Sequence, residues 1–150
     1  MEVLFGTTYD IAPWMNLVKN VSSNFPGLET EELINEHRDT VLKFMSRHEA
    51  LWVKNGEEAA GVLLFSKKHN MICCLAVSPE CRRKGIASLL LIKAISLLDR
   101  SRDITVSTFR ENDEKGAAPR ALYKKFGFEE GEFLEEFGYP NQKLVLSRID

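Results

Sequence analysis

The sequence is short of several features that would assign it quickly. It has no long hydrophobic run: the nearest, Ile86 to Leu98, is broken by Ser88, Lys93 and Ser96 and is too short and polar to cross a bilayer. The opening MEVLFG has neither a basic n-region nor a cleavable apolar stretch, so no secretory signal is expected. Cysteines number 3 (Cys73, Cys74 and Cys81), an odd count without C-x-x-C spacing, which argues against a disulfide scaffold or a zinc site. The adjacent Cys73 and Cys74 would face opposite sides of a strand, and the expectation is a soluble cytoplasmic protein with free thiols and no metal. The Walker pattern GxxxxGK[ST] and the Rossmann GxGxxG are both absent. So are GxSxG and any convincing Cys/His pair, leaving no candidate for a covalent acyl-enzyme.

What is present is ordinary in bulk. The 150 residues, 44% hydrophobic and 28% charged, suit one globular domain spanning 1–150. The net charge of −2 and a pI near 6.0 speak against a dedicated nucleic-acid binder. That near-neutrality hides a segregation. Residues 1–66 sum to −5, residues 67–128 to +7 and residues 129–150 to −4. The basic middle is the feature to explain.

The hydrophobic pattern gives an element order of β-α-α-β-β-β-α-β-α-β-β, a mixed α/β sheet. A strand is expected over 2–8, a helix from Asp10 to Val21, and a second helix capped by Thr30 with Glu31 and Glu32 in its first turn. His37 and His48 fall on its apolar side and read as packed. Ala50–Lys54 and Ala59–Phe65 read as a hairpin around Asn55-Gly56, and His69 as a residue of the next turn. The continuous apolar run Met71–Val77 suits a strand buried on both faces. There follow a helix from Lys84 to Arg100, a strand over Ile104–Phe109, a helix over Ala117–Phe126 stopped by Gly127, and strands over Phe133–Phe137 and Lys143–Ser147.

The informative stretch runs Leu75-Ala-Val-Ser-Pro-Glu-Cys-Arg-Arg-Lys-Gly-Ile-Ala-Ser88: a strand, a turn, then the start of a helix. Helix N-termini carry partial positive charge, yet Arg82, Arg83 and Lys84 crowd this one. As structure alone that pairing is unfavourable, and a bound anion reverses its sign. Gly85 and Ala87 are small enough to admit a phosphate to the backbone N–H groups.

The segment Arg82-x-x-Gly85-x-Ala87 resembles the acetyl-CoA pyrophosphate loop, R/Q-x-x-G-x-G/A, of the GNAT superfamily of N-acetyltransferases. Leu75-Ala-Val-Ser-Pro79 resembles that family's fourth strand and turn. Ala121-Leu-Tyr-Lys-Lys-Phe-Gly-Phe128 is similar to its A-x-x-LY-x-x-x-GF helix end. The resemblance implies a mostly antiparallel sheet flanked by helices and splayed between the fourth and fifth strands. It also implies acetyl-CoA as cosubstrate and transfer to a primary amine by direct attack in a ternary complex. The diphosphate would lie on amides of Arg83, Lys84, Gly85, Ile86, Ala87 and Ser88, with Arg82 adding charge. The pantetheine arm would pair with Leu75, Ala76 and Val77, where a bulge would aim the N–H of Ala76 or Val77 at the thioester carbonyl. Tyr123 matches the tyrosine that protonates the departing sulfur.

The chain also departs from the family pattern. Gly116 and Pro119 stand where Asn and Ala are common before the tyrosine, with Asn112 a substitute upstream; Cys81 stands where an aromatic is common and reads as an exposed turn residue ahead of a catalytic thiolate favoured by Arg82. No general base stands out: Cys73 and Cys74 occupy positions where relatives carry a carboxylate, and Glu57, Glu58 and Glu111 are the acids offered through water. The tail 129–138 packs five glutamates into ten residues. It reads as a solvated face, or as an acidic flank drawing a cationic amine to a mouth lined by Phe133, Phe137 and Tyr139. The expected partner is a small-molecule or peptide amine, with a homodimer allowed and no nucleic acid or membrane. The rival reading is a CoA-sensing or partner-binding module of the same fold without chemistry.

Overall fold

A computed structural model describes residues 1–149. Its elements in chain order are β1 (Leu4–Phe5), α1 (Ile11–Val21), α2 (Glu31–Ser46), β2 (Ala50–Asn55), β3 (Glu58–Ser66), β4 (Met71–Val77), α3 (Ile86–Leu97), β5 (Ile104–Phe109), α4 (Ala117–Lys125), β6 (Glu129–Glu136) and β7 (Tyr139–Leu146). The strands form one sheet in the order β1-β2-β3-β4-β5-β7-β6. Every neighbouring pair is antiparallel except β4–β5.

Two apolar layers sandwich this sheet. Alternation along β2 and β3 sends Leu51, Leu63 and Phe65 to the layer beneath α3 and α4, and Ala50, Trp52, Val62 and Leu64 to the layer beneath α1 and α2. α1 contributes Trp14, Met15, Leu17, Val18 and Val21 to the second layer. α2 starts where Thr30 Oγ1 accepts the Leu33 N–H at 3.1 Å and packs through Ile34, Val41 and Met45. α3 uses a single face, Ile86, Leu90, Leu91 and Ala94, and leaves Ile92 exposed although apolar residues run nearly all round it.

The ends of several elements differ from expectation. The first strand shrinks to Leu4–Phe5 because only those residues find β2 partners, Trp52 and Leu51. α3 stops at Leu97 because the buried Asn70 captures the chain beyond it: its Oδ1 accepts the Asp99 N–H at 2.9 Å and its Nδ2 donates to the Asp99 carbonyl at 2.8 Å. His48 lies past the end of α2, exposed and left-handed (φ 59°), with Phe5 edge-on at 6.2 Å. β6 and β7 are longer than their apolar patterns suggest, since pairing with a neighbour decides strand extent there rather than side-chain character. Phe137 and Gly138, at φ 53° and 73°, form the two-residue turn between them, which needs positive φ at both positions.

β4 and β5 pair only through Met71↔Thr105 and Ile72↔Val106. Beyond Ile72 the two parallel strands separate, while β4 stays bonded to β3 and β5 to β7. This gap positions the site.

Candidate active site

The anion loop is built as its sequence demands. After β4 a short 3₁₀ turn (Pro79–Cys81) leads to extended Arg82, then to Arg83 and Gly85 in the left-handed region at φ 65° and 76°. A Cβ on Gly85 would touch nothing within 4 Å, so open space lies over this residue, and its requirement for glycine is conformational. The first i→i−4 bond of α3 is Leu89 N–H to the Gly85 carbonyl. The N–H groups of Ile86, Ala87 and Ser88 therefore have no helical acceptor. Arg82, Arg83 and Lys84 are exposed, and none forms an ion pair among the described residues. A diphosphate fits this cradle: free N–H groups, unpaired cations and no side chain in the way.

Beside it, Leu75, Ala76 and Val77 bond to Leu63, Val62 and Gly61 of β3, and their opposite edge faces the gap left by β5. The bulge in β4 falls earlier than expected. Leu64 pairs with Cys74 but Phe65 with Ile72, so Cys73 is the extra residue, rather than Ala76 or Val77. Its position has a physical consequence: the strand is redirected where its pairing with β5 ends. Cys73 is exposed and Cys74 half-buried. Desolvation pushes the Cys73 thiol up to about 12, with smaller contributions from Cys74, Glu49 and Glu136 opposed by Arg47. Burial pushes Cys74 up to about 11.

Cys81 is not an exposed turn residue but part of the core. It is 4% exposed in the layer beneath α3, and its sulfur accepts a weak bond from Asn55 Nδ2 at 3.7 Å. The turn carrying it folds inward because Cys81 N–H closes on the Ser78 carbonyl.

Tyr123 is deeply placed. Its ring is 4% exposed and meets Phe128 edge-on at 5.5 Å, whereas Leu122 is only half-buried. The hydroxyl has no hydrogen-bond partner among the described residues, yet it is not among the fully enclosed polar atoms, so it keeps an opening. Desolvation, then the neighbouring Cys74, raises its pKa well above the ordinary phenol value. The group is thus a neutral phenol at any physiological pH.

The sequence reading passed over the residue that holds α4 in place. Arg120, 4% exposed, donates from Nη1 to the Phe109 carbonyl at 3.0 Å and to Gln142 Oε1 at 2.9 Å, and its Nη2 lies 3.3 Å from Glu130. One helical turn before Tyr123, it ties α4 to β5, β7 and β6. No motif marks it; a lone arginine between apolar positions of a short helix is the only signal. Gly116 opens α4 beneath Phe109, where a Cβ would lie 2.7 Å from Phe109 Cβ, and Asn112 is exposed on the preceding loop.

A mouth forms where the α1–α2 loop meets the start of β7. Phe25, Pro26, Leu28, Glu29, Lys115 and Tyr139 are among the residues lining a cavity of about 300 Å³. Tyr139 packs edge-on against Phe109 at 5.6 Å and donates to Asp113 Oδ2 at 2.5 Å. That bond holds Asp113 below the usual carboxylate range and lifts the Tyr139 phenol. Phe133 and Phe137 are exposed, Phe133 with the Arg110 guanidinium 4.7 Å above its ring. Glu57, Glu58 and Glu111 are all exposed, and His37 is half-buried with its pKa lowered by burial. Among the described residues, no helix is long and apolar enough to cross a membrane, and no cluster of side chains is arranged to hold a metal ion.

The site thus combines a split parallel pair with an open helix N-terminus crowded by exposed cations. Residues 47–130 match the family model described as acetyltransferase (GNAT) domain, and the chain belongs to that family. Its fold is shared with an N-acetyltransferase from Staphylococcus aureus Mu50 (TM-score 0.75, 15% identity, 97% of this chain and 100% of that one). The ribosomal-protein-S18-alanine N-acetyltransferase of Escherichia coli is similar (TM-score 0.74, 17% identity, 99% and 95%). So is the PaiA N-acetyltransferase of Thermoplasma acidophilum in complex with coenzyme A (TM-score 0.67, 14% identity, 95% and 96%). A comparison with curated protein sequences returned no match. The protein is an acyltransferase of the N-acetyltransferase type, and acetyl-CoA is the family's acyl donor.

Proposed function

We propose that residues 1–150 act as one N-acetyltransferase domain that transfers acetyl from acetyl-CoA to a primary amine by direct attack, with both substrates held together. The separation of β4 from β5 after Ile72, directly beside the free N-terminus of α3, carries this reading. The amides of Arg83 to Ser88 hold the diphosphate, Arg82, Arg83 and Lys84 neutralise it, and the free edge of Leu75, Ala76 and Val77 aligns the pantetheine arm. When bound, acetyl-CoA supplies an activated acyl group whose carbonyl takes up negative charge as the amine adds. The free edge of β4 faces that charge with backbone N–H groups, which act without reorganisation.

Tyr123 contributes a hydrogen bond from a neutral hydroxyl to the departing sulfur. Its raised pKa favours relaying a proton over ending as phenolate. The amine enters at the mouth between the α1–α2 loop and β7, where Phe25, Leu28 and Tyr139 offer apolar surface.

Thermal unfolding with acetyl-CoA tests the donor site. A rise in melting temperature, removed by Gly85→Glu, is the expected result, and no shift at millimolar ligand overturns the assignment. A panel of polyamines, amino acids, aminoglycosides and peptides then tests transfer. Acetyl-CoA binding with no turnover on any amine would make the chain a CoA-binding module instead.

A further inference from the structure

Glu57 and Glu58, two of the acids offered by the sequence, lie away from the gap. They line a separate cleft on the β3 side of β4, whereas the gap opens on its β5 side. That cleft, of about 210 Å³, has a chemistry of its own.

Three segments build it. α1 lays one helical face across it, with Pro13, Asn16, Leu17 and Asn20 at the spacing of successive turns. Glu57 and Glu58 come from the β2–β3 connection and the first residue of β3, and Ser78 and Glu80 from the turn after β4. A weak bond from Asn55 Nδ2 to Cys81 Sγ at 3.7 Å ties these last two segments together. Leu17 and Ala59, both buried, give the cleft an apolar floor. It shares no lining residue with the mouth at the α1–α2 loop.

Ser78 points to a ligand. It is 9% exposed and continues the alternation that sends Ala76 to the layer beneath α1, so its side chain faces the cleft. Its backbone is fully used: the N–H donates to the Ala60 carbonyl at 2.8 Å, and the carbonyl accepts the Cys81 N–H at 2.9 Å. The hydroxyl has no partner among the described residues, yet it is not sealed in. A hydroxyl placed so deeply calls for a partner inside the cleft.

The rim is equally unsatisfied. The side chains of Glu57, Glu58, Glu80, Asn16 and Asn20 make no hydrogen bond or ion pair among the described residues. No lysine or arginine lines the cleft, and nearby Lys54 is turned to the Trp52 ring, 5.6 Å from its centroid. Glu80 pairs with none of Arg82, Arg83 and Lys84, although they follow it closely in the chain. Among the described residues no carboxylates are arranged to hold a metal ion. Carboxylates spread around an apolar floor match instead a chain of methylenes that carries several ammonium groups.

We propose that this cleft binds a linear aliphatic polyamine, at a site distinct from the acceptor mouth. The methylenes lie over Leu17 and Ala59, the ammonium groups meet Glu57, Glu58 and Glu80, and one N–H donates to the Ser78 hydroxyl oxygen. Binding there does not depend on acetyl transfer.

Titrating spermidine into the isotope-labelled intact chain in about 0.15 M NaCl tests it by nuclear magnetic resonance. The side-chain amide signals of Asn16 and Asn20 should shift and saturate by about 1 mM. Ser78→Ala should weaken binding about tenfold, the scale for a hydrogen bond to a charged group. Glu57→Gln, Glu58→Gln and Glu80→Gln combined, all at exposed positions, should weaken it about tenfold or more and remove most of its salt dependence. Glu135→Gln, exposed on β6, should change nothing. Calcium chloride at matched ionic strength should leave both asparagine signals in place.

No shift at either asparagine overturns the proposal. So do shifts confined to Phe25, Leu28 and Tyr139, which would put spermidine in the acceptor mouth alone. Equal shifts with calcium chloride would make the cleft a metal site and overturn the polyamine assignment. Unchanged affinity in the combined glutamine variant, with its melting temperature intact, overturns it as well.

Discussion

Gly61 of β3 lies against Ile86 of α3 so closely that a Cβ at position 61 would come within 2.6 Å of Ile86 Cγ2 and 3.0 Å of Leu90 Cδ1. Ile86 is the first residue of α3, so this contact sets how deeply the helix start sits on the sheet, and with it the height of the anion loop. Gly61→Ala should cost about 1–3 kcal/mol in urea unfolding through overpacking. It should also weaken acetyl-CoA binding although it touches no ligand. Wild-type stability in that variant would mean that the helix start yields freely.

Tyr123→Phe separates packing from chemistry. The ring stays against Phe128, so the melting temperature and the shift produced by acetyl-CoA should hardly move. Turnover should fall by about 100-fold, the usual scale for losing a positioned proton donor. Unchanged turnover removes the hydroxyl from the mechanism.

Arg120→Met keeps length and apolar volume on α4 while removing the bonds to Phe109 and Gln142. A loss of about 2 kcal/mol is expected, in the range for hydrogen bonds made by a charged group, since Gln142 and the Phe109 carbonyl are left buried. Because Arg120 positions α4 rather than touching the substrates, kcat should fall with KM for acetyl-CoA nearly unchanged. A normal kcat in a destabilised variant would restrict the arginine to folding.

The Tyr139–Asp113 bond makes a pH signature. Asp113 is depressed by accepting from Tyr139, so its contribution is present above the unfolded aspartate pKa of about 3.9 and is lost as pH falls through the lower folded value. Tyr139 is raised by the same bond, so its contribution is present below about pH 10 and is lost as pH rises through the higher folded value. Tyr139→Phe should flatten both limbs of melting temperature against pH. If the limbs match the wild type, the bond does not persist in solution.

Much of this was legible in the chain because the signals are local. Thr30 caps α2, Gly85 takes the positive φ of the anion loop, and Met71–Val77 forms a central strand, each decided by a few neighbouring side chains. Cys81 is the opposite case: beside Arg82 its local sequence is that of a turn, and only the packing of α3 over β2 and β3 makes it core. The extent of the two terminal strands is not legible locally, because glutamates dominate β6 and partner strands rather than propensity define it.

The element order, the basic cluster before α3 and the charge division between a +7 middle and acidic flanks can be read from the chain alone. These depend on spacing and composition, which the chain carries whether folded or not. The bulge of β4 at Cys73 and the anchoring of the Tyr123 helix by Arg120 appear only once the sheet has formed. The cause is sequence separation: Phe109, Arg120, Glu130 and Gln142 stand far apart along the chain, and only the pairing of β5, β7 and β6 in one sheet gathers them around a single guanidinium.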